Sequence, residues 1–288
     1  RINKLNEAIT AFQSSIKSYP EMEDYIRYYL ATILFDSNKN LKALEQINIL
    51  LKKFPETLLY TKTQILLAKI FEKNGKEADA LNILTEIKKR LLDFSKSSRE
   101  YSYLPEVIFH LGQLYQQLGK NNSAYDQYRL LHIIHPTDQL TKRSKALMNK
   151  LAKLSGIIIE PLTIDEHARR MHELLNNVQY QQVVIEVTNL FNNKSLLPGK
   201  FYFYLAKAQK GLRKRNLANE SLKKFLNTYP EHARVQEALF TIGRNLWNTG
   251  KYRDGLKYFE VSINKNPSSN LANQARFFIG KMHEEKKR

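Results

Sequence analysis

PEVIFHLGQLYQQLGKNNSAYDQYRLLHIIHP, residues 105–136, is the stretch that decides the fold. Leu111, Gly112 and Tyr115 lie on one face of a first amphipathic helix, and Gly119 makes a turn. Ala124, Tyr128 and Leu131 follow at helical spacing on a second helix, which Pro136 closes. Gly112 and Ala124 are small because the two helices of a hairpin cross tightly there. Tyr115 and Tyr128 fill the wider spaces beside the crossing. Proline lacks an N–H and clashes with the preceding turn, so Pro136 stops the second helix.

The pattern recurs outward from this stretch in both directions. Tyr19-Pro20, Phe54-Pro55, His135-Pro136, Tyr229-Pro230 and Asn266-Pro267 each close a stretch that reads as two amphipathic helices. Five of the eight prolines therefore hold one station, at intervals such as 20 to 55 and 230 to 267. A period of this length marks a stacked repeat, not a single compact core. Residues 236–267 repeat the frame with Ile242, Gly243, Leu246, Gly250, Gly255, Phe259 and Pro267. Residues 199–230 carry Leu205, Ala206, Ala218, Leu222, Phe225 and Pro230, and residues 24–55 and 61–92 fit the same frame. A degenerate unit spans about 164–193, with Met171 and Val183 at positions where small residues are expected.

The Leu-Gly, Tyr, Ala, aromatic and Pro spacing of residues 105–136 resembles the tetratricopeptide repeat. The resemblance implies an all-α, right-handed superhelical solenoid of helix hairpins, whose first helices line a concave surface. We expect two segments: residues 1–154, an extra helix near 138–154 included, and residues 163–288. Between them, residues 155–162 (Ser155-Gly156, three isoleucines, Glu160-Pro161) read as a joint rather than a strand. Half-units at both ends predict that the natural protein continues past at least one of them. The start at Arg1 reads as a chain beginning inside a larger product or after a removed leader.

Composition sets further bounds. No apolar run is long enough for a transmembrane segment. The absence of cysteine excludes disulfides, thiolate metal sites and cysteine nucleophiles. The net charge is +18. Residues 199–288 hold 19 Lys plus Arg against 7 Asp plus Glu, a net of +12 in under a third of the length. Such a concentration favours an anionic partner; the plainer reading is a solvated lysine-rich surface.

The fifth position of each first helix gives Tyr28, Ile65, Phe109, Phe203, Phe240 and Phe277. The ninth gives Thr32, Lys69, Gln113, Lys207, Arg244 and Lys281. Phe203, Lys207, Lys210, Phe240, Arg244, Trp247, Phe277 and Lys281 are therefore the candidate site, an aromatic-and-basic ladder for an extended anionic ligand. The competing reading packs the phenylalanines between helices and leaves the cations in water. A clamp for a C-terminal carboxylate is not expected, because position five is aromatic and position nine lacks Asn.

No phosphate-binding loop, nucleophile elbow or paired metal-ligand spacing is present, so neither catalysis nor a metal or cofactor is expected. His132 and His135 share a helix face but have no acidic or histidine residue at ligand spacing, and His167 and His172 are five apart. The segments LPEVIFHLGQLYQQLGK, LTIDEHARRMHELLNN and LAKAQKGLRKRNLANESLKKF, in that order, resemble the helical region before the catalytic domain of bacterial soluble lytic transglycosylases. This resemblance implies a periplasmic or cell-envelope scaffold that meets peptidoglycan. The Glu-Ser of that family's catalytic motif has no equivalent here, since Glu220-Ser221 sits mid-helix without the downstream element. The alternatives are an adaptor that binds an acidic protein segment and, more weakly, a single-stranded nucleic-acid binder.

Overall fold

The computed structural model describes residues 2–193 and 196–285, which hold fifteen α-helices and no strand. The chain divides into two compact units, residues 1–160 and 161–288. The first contains α1 (Ile2–Ser18), α2 (Glu23–Asp36), α3 (Asn40–Lys53), α4 (Tyr60–Lys73), α5 (Glu77–Asp93), α6 (Leu104–Gln117), α7 (Asn121–Ile134) and α8 (Gln139–Ser155). The second contains α9 (Ile164–Asn176), α10 (Tyr180–Asn193), α11 (Lys200–Gly211), α12 (Arg215–Thr228), α13 (Val235–Trp247), α14 (Tyr252–Lys265) and α15 (Asn270–Glu285). Each unit is a stack of antiparallel hairpins: α2/α3, α4/α5 and α6/α7 in the first, α9/α10, α11/α12 and α13/α14 in the second. Helix α8 packs on α7 and α6 as α4 packs on α3 and α2, so it takes the place of a next first helix. No helix among the described residues is long and apolar enough to cross a membrane.

One turn builds all six hairpins. Asn38, Gly75, Gly119, Val178, Arg213 and Gly250 each adopt φ between 57 and 75° directly after a first helix. The N–H of the next residue reaches back five positions, as in Lys39 to the Leu34 carbonyl at 2.8 Å and Lys214 to the Gln209 carbonyl at 2.8 Å. The positive-φ residue itself donates three positions back, Gly119 to Gln116 at 3.1 Å. This Schellman arrangement satisfies the last carbonyls of the first helix while reversing the chain. Three of the six positions are not glycine, and Val178 is β-branched, the residue class least suited to the left-handed region.

The second helices end as the prolines predict. Helices α3, α7, α12 and α14 each stop two residues before Pro55, Pro136, Pro230 and Pro267. Phe54, His135 and Tyr229, each next to a proline, have φ near −130° and ψ near 60°, outside the helical basin that proline disfavours for its predecessor.

The small residues mark close approach. A Cβ at Gly112 would stand 2.4 Å from the Tyr128 ring, and one at Gly243 would stand 2.8 Å from Phe259. Tyr128 and Phe259 are fully buried, so the glycine makes room for the partner helix's aromatic ring. In the first unit the core is Leu30, Ala31, Leu34, Ala43, Ile47 and Ile70 with their neighbours. In the second, Met171, Val183, Val187 and Phe201 form one cluster, and Leu222, Phe225, Ala238 and Ile242 another. Between α8 and α9, residues 156–163 carry no regular element, and Ile158 is 82% exposed. Thr163 opens α9 with a capping box: its hydroxyl accepts the Glu166 N–H at 3.2 Å, and the Glu166 carboxylate accepts the Thr163 N–H at 2.8 Å.

Candidate functional site

In the first unit, α2, α4, α6 and α8 line a groove of about 700 Å³. A further hollow of about 220 Å³ shares Phe35, Lys69 and Glu106 with it. The walls hold the fifth and ninth positions of these helices: Tyr28, Thr32, Ile65, Lys69, Phe109 and Gln113. The register therefore brings these positions to the walls of the hollows, although Ile65 and Phe109 are themselves buried.

The groove also contains charges that the register did not single out. His110 Nε2 lies 2.7 Å from Glu72 Oε2, joining α6 to α4, and His110 is only 8% exposed. Its Nδ1 is buried without a hydrogen-bond partner among the described residues. Lys69 Nζ pairs with Glu106 at 2.9 Å. The Arg143 guanidinium from α8 lies over the Phe109 ring, 5.1 Å from its centroid. Burial pushes the Tyr28 phenol above its ordinary pKa, against the pull of Lys62 and Lys69. The groove thus alternates cations, carboxylates and aromatic faces, which suits a peptide of mixed character.

The ladder predicted in the second unit is placed less uniformly. Lys207, Lys210, Arg244 and Lys281 are exposed. Phe277 is 59% exposed, with Lys281 Nζ 5.1 Å from its ring centroid. Phe240 corrects the expectation, being 5% exposed and packed with Phe259 and Ala275. Phe278 of α15 covers it, at 6.3 Å between centroids. Trp247 is half-buried, edge-on to Tyr252 at 4.8 Å and to Phe278 at 5.4 Å. Phe203 is half-buried against Phe225, and Arg234 lies 3.6 Å over its ring. At this position an aromatic ring packs against the following first helix, so Phe203, Phe240 and Trp247 form no open stacking row. Lys210 sits below its ordinary pKa, through burial first and then through Arg244 and Arg215 nearby.

Among the described residues, no group of three His, Cys, Asp or Glu side chains could hold a metal ion.

Residues 201–232, which hold nearly all of α11, the whole of α12 and the turns around them, match the family model of the tetratricopeptide repeat. No curated protein matches the chain. Among solved structures, it is similar to a tetratricopeptide repeat protein from Parabacteroides merdae, at 14% identity over 96% of this chain and 92% of that one, with a TM-score of 0.42. It is also similar to the TPR2AB domain of yeast Sti1 in its pHSP90 complex, at 14% identity over 91% and 97%, TM-score 0.37. A third is MamA from Desulfovibrio magneticus, at 16% identity over 73% and 97%, TM-score 0.36. The family match speaks for the repeat and not for the transglycosylase region, and similarities this distant carry no partner over to this chain.

Proposed function

We propose that this chain, an all-α stack of tetratricopeptide-type hairpins, is a non-catalytic scaffold that holds a protein partner in the groove of its first unit. The supporting observation is that the fifth and ninth positions of successive first helices line two adjoining hollows: Tyr28, Thr32, Ile65 and Lys69 one of about 220 Å³, and Lys69, Phe109 and Gln113 the groove of about 700 Å³. That volume lies within the range of a small-molecule pocket. Its walls, however, are built from long charged side chains crossing between helices, as in Lys69–Glu106 and Glu72–His110. Such pairs can exchange partners with the side chains of a bound segment and set its register. The partner is a segment with both acidic and basic residues and an apolar anchor for the half-buried Phe35.

The test is selection from a displayed peptide library on the full chain, repeated with Gln113→Trp, which fills the groove, and Phe109→Ala. Enrichment of mixed-charge peptides with an apolar anchor, lost in both variants, supports the reading. Enrichment unchanged by either variant, or none at all, removes the groove as the binding site.

A further inference from the structure

The repeat register places two cations where the next repeat stacks two aromatics. Lys210 and Arg215 stand 37 residues before Trp247 and Tyr252 (210 to 247, 215 to 252), on either side of equivalent turns. Trp247 and Tyr252 meet edge-on at 4.8 Å. In the equivalent place, like charges face each other across one turn, held by the Arg213 N–H to the Lys210 carbonyl at 2.9 Å. Arg244, one turn before Trp247 on α13, adds a third cation close enough to depress Lys210.

The support beneath these cations is rigid. Asn245, next to Arg244, donates its side-chain amide to Asn219 Oδ1 at 2.8 Å, and Asn219 lies one turn after Arg215 on α12. Ser221 donates to Gln209, next to Lys210, also at 2.8 Å. All four of these polar side chains are buried. Side chains fixed in this way bring the cations together without a loss of loop entropy on binding. None of Lys210, Arg215 and Arg244 forms an ion pair with a carboxylate among the described residues. Arg215 Nε is buried with no hydrogen-bond acceptor among the described residues. A buried donor without an acceptor, beside two like charges, breaks two local rules at one place, and such violations gather at functional sites.

We propose that Lys210, Arg215 and Arg244 form an oxyanion site that takes a phosphate ester or a pair of carboxylates borne on a protein segment. Two guanidinium forks and an ammonium match the several oxygens of such a group. A nucleic acid fits less well, because a strand needs successive open stacking faces. Here Phe240 is buried and Arg234 covers Phe203. The site lies in the second unit and is independent of the groove in the first.

The test measures binding of four labelled probes to the full chain: a peptide with two phosphoserines, its glutamate counterpart, its serine counterpart and an oligothymidylate. The key variant is Lys210→Trp/Arg215→Tyr, which installs the next repeat's own pair and so keeps a packing the fold already uses. Arg244→Gln is the second variant. Arg253→Gln/Lys257→Gln/Lys265→Gln, all exposed on α14, removes charge outside the cluster. We expect saturable binding of the phosphoserine or glutamate peptide, weakened about tenfold or more in both cluster variants. The α14 variant and Gln113→Trp should bind as the unmodified chain does. Phosphoserine alone would assign a phosphate site, and both peptides a general dianion site. The proposal is overturned if neither peptide binds above the serine control, if the α14 variant loses as much as the cluster variants, or if only the oligothymidylate depends on the cluster.

Discussion

The Arg234 guanidinium lies 3.6 Å from the centroid of the Phe203 ring while two of its nitrogens, Nε and Nη2, donate to the Glu237 carboxylate at 2.7 and 2.8 Å. One residue thus caps an aromatic face and anchors the start of α13. The Arg234 side chain is 40% exposed, so its carboxylate contact is screened and contributes little alone. The stacking on Phe203 is worth about 1 kcal/mol. Arg234→Ala should lower stability by about that amount in urea unfolding, and Arg234→Lys should recover only part of it. Retention of full stability in Arg234→Ala would show that the stack contributes nothing.

Gly112 and Gly119 are favoured for different reasons, and substitution separates them. Gly112→Ala forces a methyl onto the buried Tyr128 ring and should cost about 1–3 kcal/mol. At Gly119 nothing lies within 4 Å, but φ is +70°. Gly119→Ala should cost about 1–2 kcal/mol for the left-handed conformation alone. Gly119→Asn should recover much of that loss, because asparagine tolerates this region. No asparagine or serine variant should rescue Gly112. Equal losses for alanine and asparagine at Gly119 would contradict the conformational account.

Val178 holds the same turn with a β-branched side chain at φ 60° and is 64% exposed. Its side chain gains little from burial, so the backbone cost stands uncompensated. Val178→Gly should stabilise the second unit by about 1 kcal/mol, visible as a higher urea midpoint at unchanged slope. A lower midpoint would mean that the valine packs more than its exposure suggests.

Glu23 is buried at the start of α2, bonded to Lys53 of α3 and to Arg27 at 2.8 Å. The bond from Lys53 first, then that from Arg27, holds its carboxyl below the ordinary range, although burial pushes it up. A carboxylate depressed in the folded state adds stability that is fully present above its unfolded pKa. That stability is lost as pH falls through the folded pKa. Acid unfolding of Glu23→Gln should therefore show a shallower fall in stability below the ordinary carboxylate range than the unmodified chain. Parallel pH profiles would rule out the Glu23 cluster as the source.

The proline stations and Gly112 were legible because the chain itself enforces them: a missing N–H and a missing Cβ act within one hairpin. The face of the first helices was legible too, since positions five and nine follow from helical periodicity. What covers that face was not. Phe240 and Phe277 occupy one register position, yet the first is packed under Phe278 and the second is 59% exposed. The covering residue comes from the next repeat, outside any local window. Glu72 and His110 escaped for the same reason, being 38 residues apart and unremarkable singly. Arg215 escaped because a lysine- and arginine-rich turn reads as solvated surface until its place is compared with Trp247 and Tyr252.

The reach of the contacts has a consequence for how the chain comes to be folded. Side-chain bonds between repeats are short along the chain: Thr61 to Glu100 and Lys88 to Gln127 each span 39 residues. Contacts so short along the chain close small loops and form early. Synthesis proceeds from the N-terminus at about 5–20 residues per second, and folding units assemble in the order they emerge. Each hairpin can therefore dock on its predecessor a few seconds after leaving the ribosome, without waiting for the rest of the chain. The groove of the first unit, the proposed binding site, is then complete while the second unit is still being made.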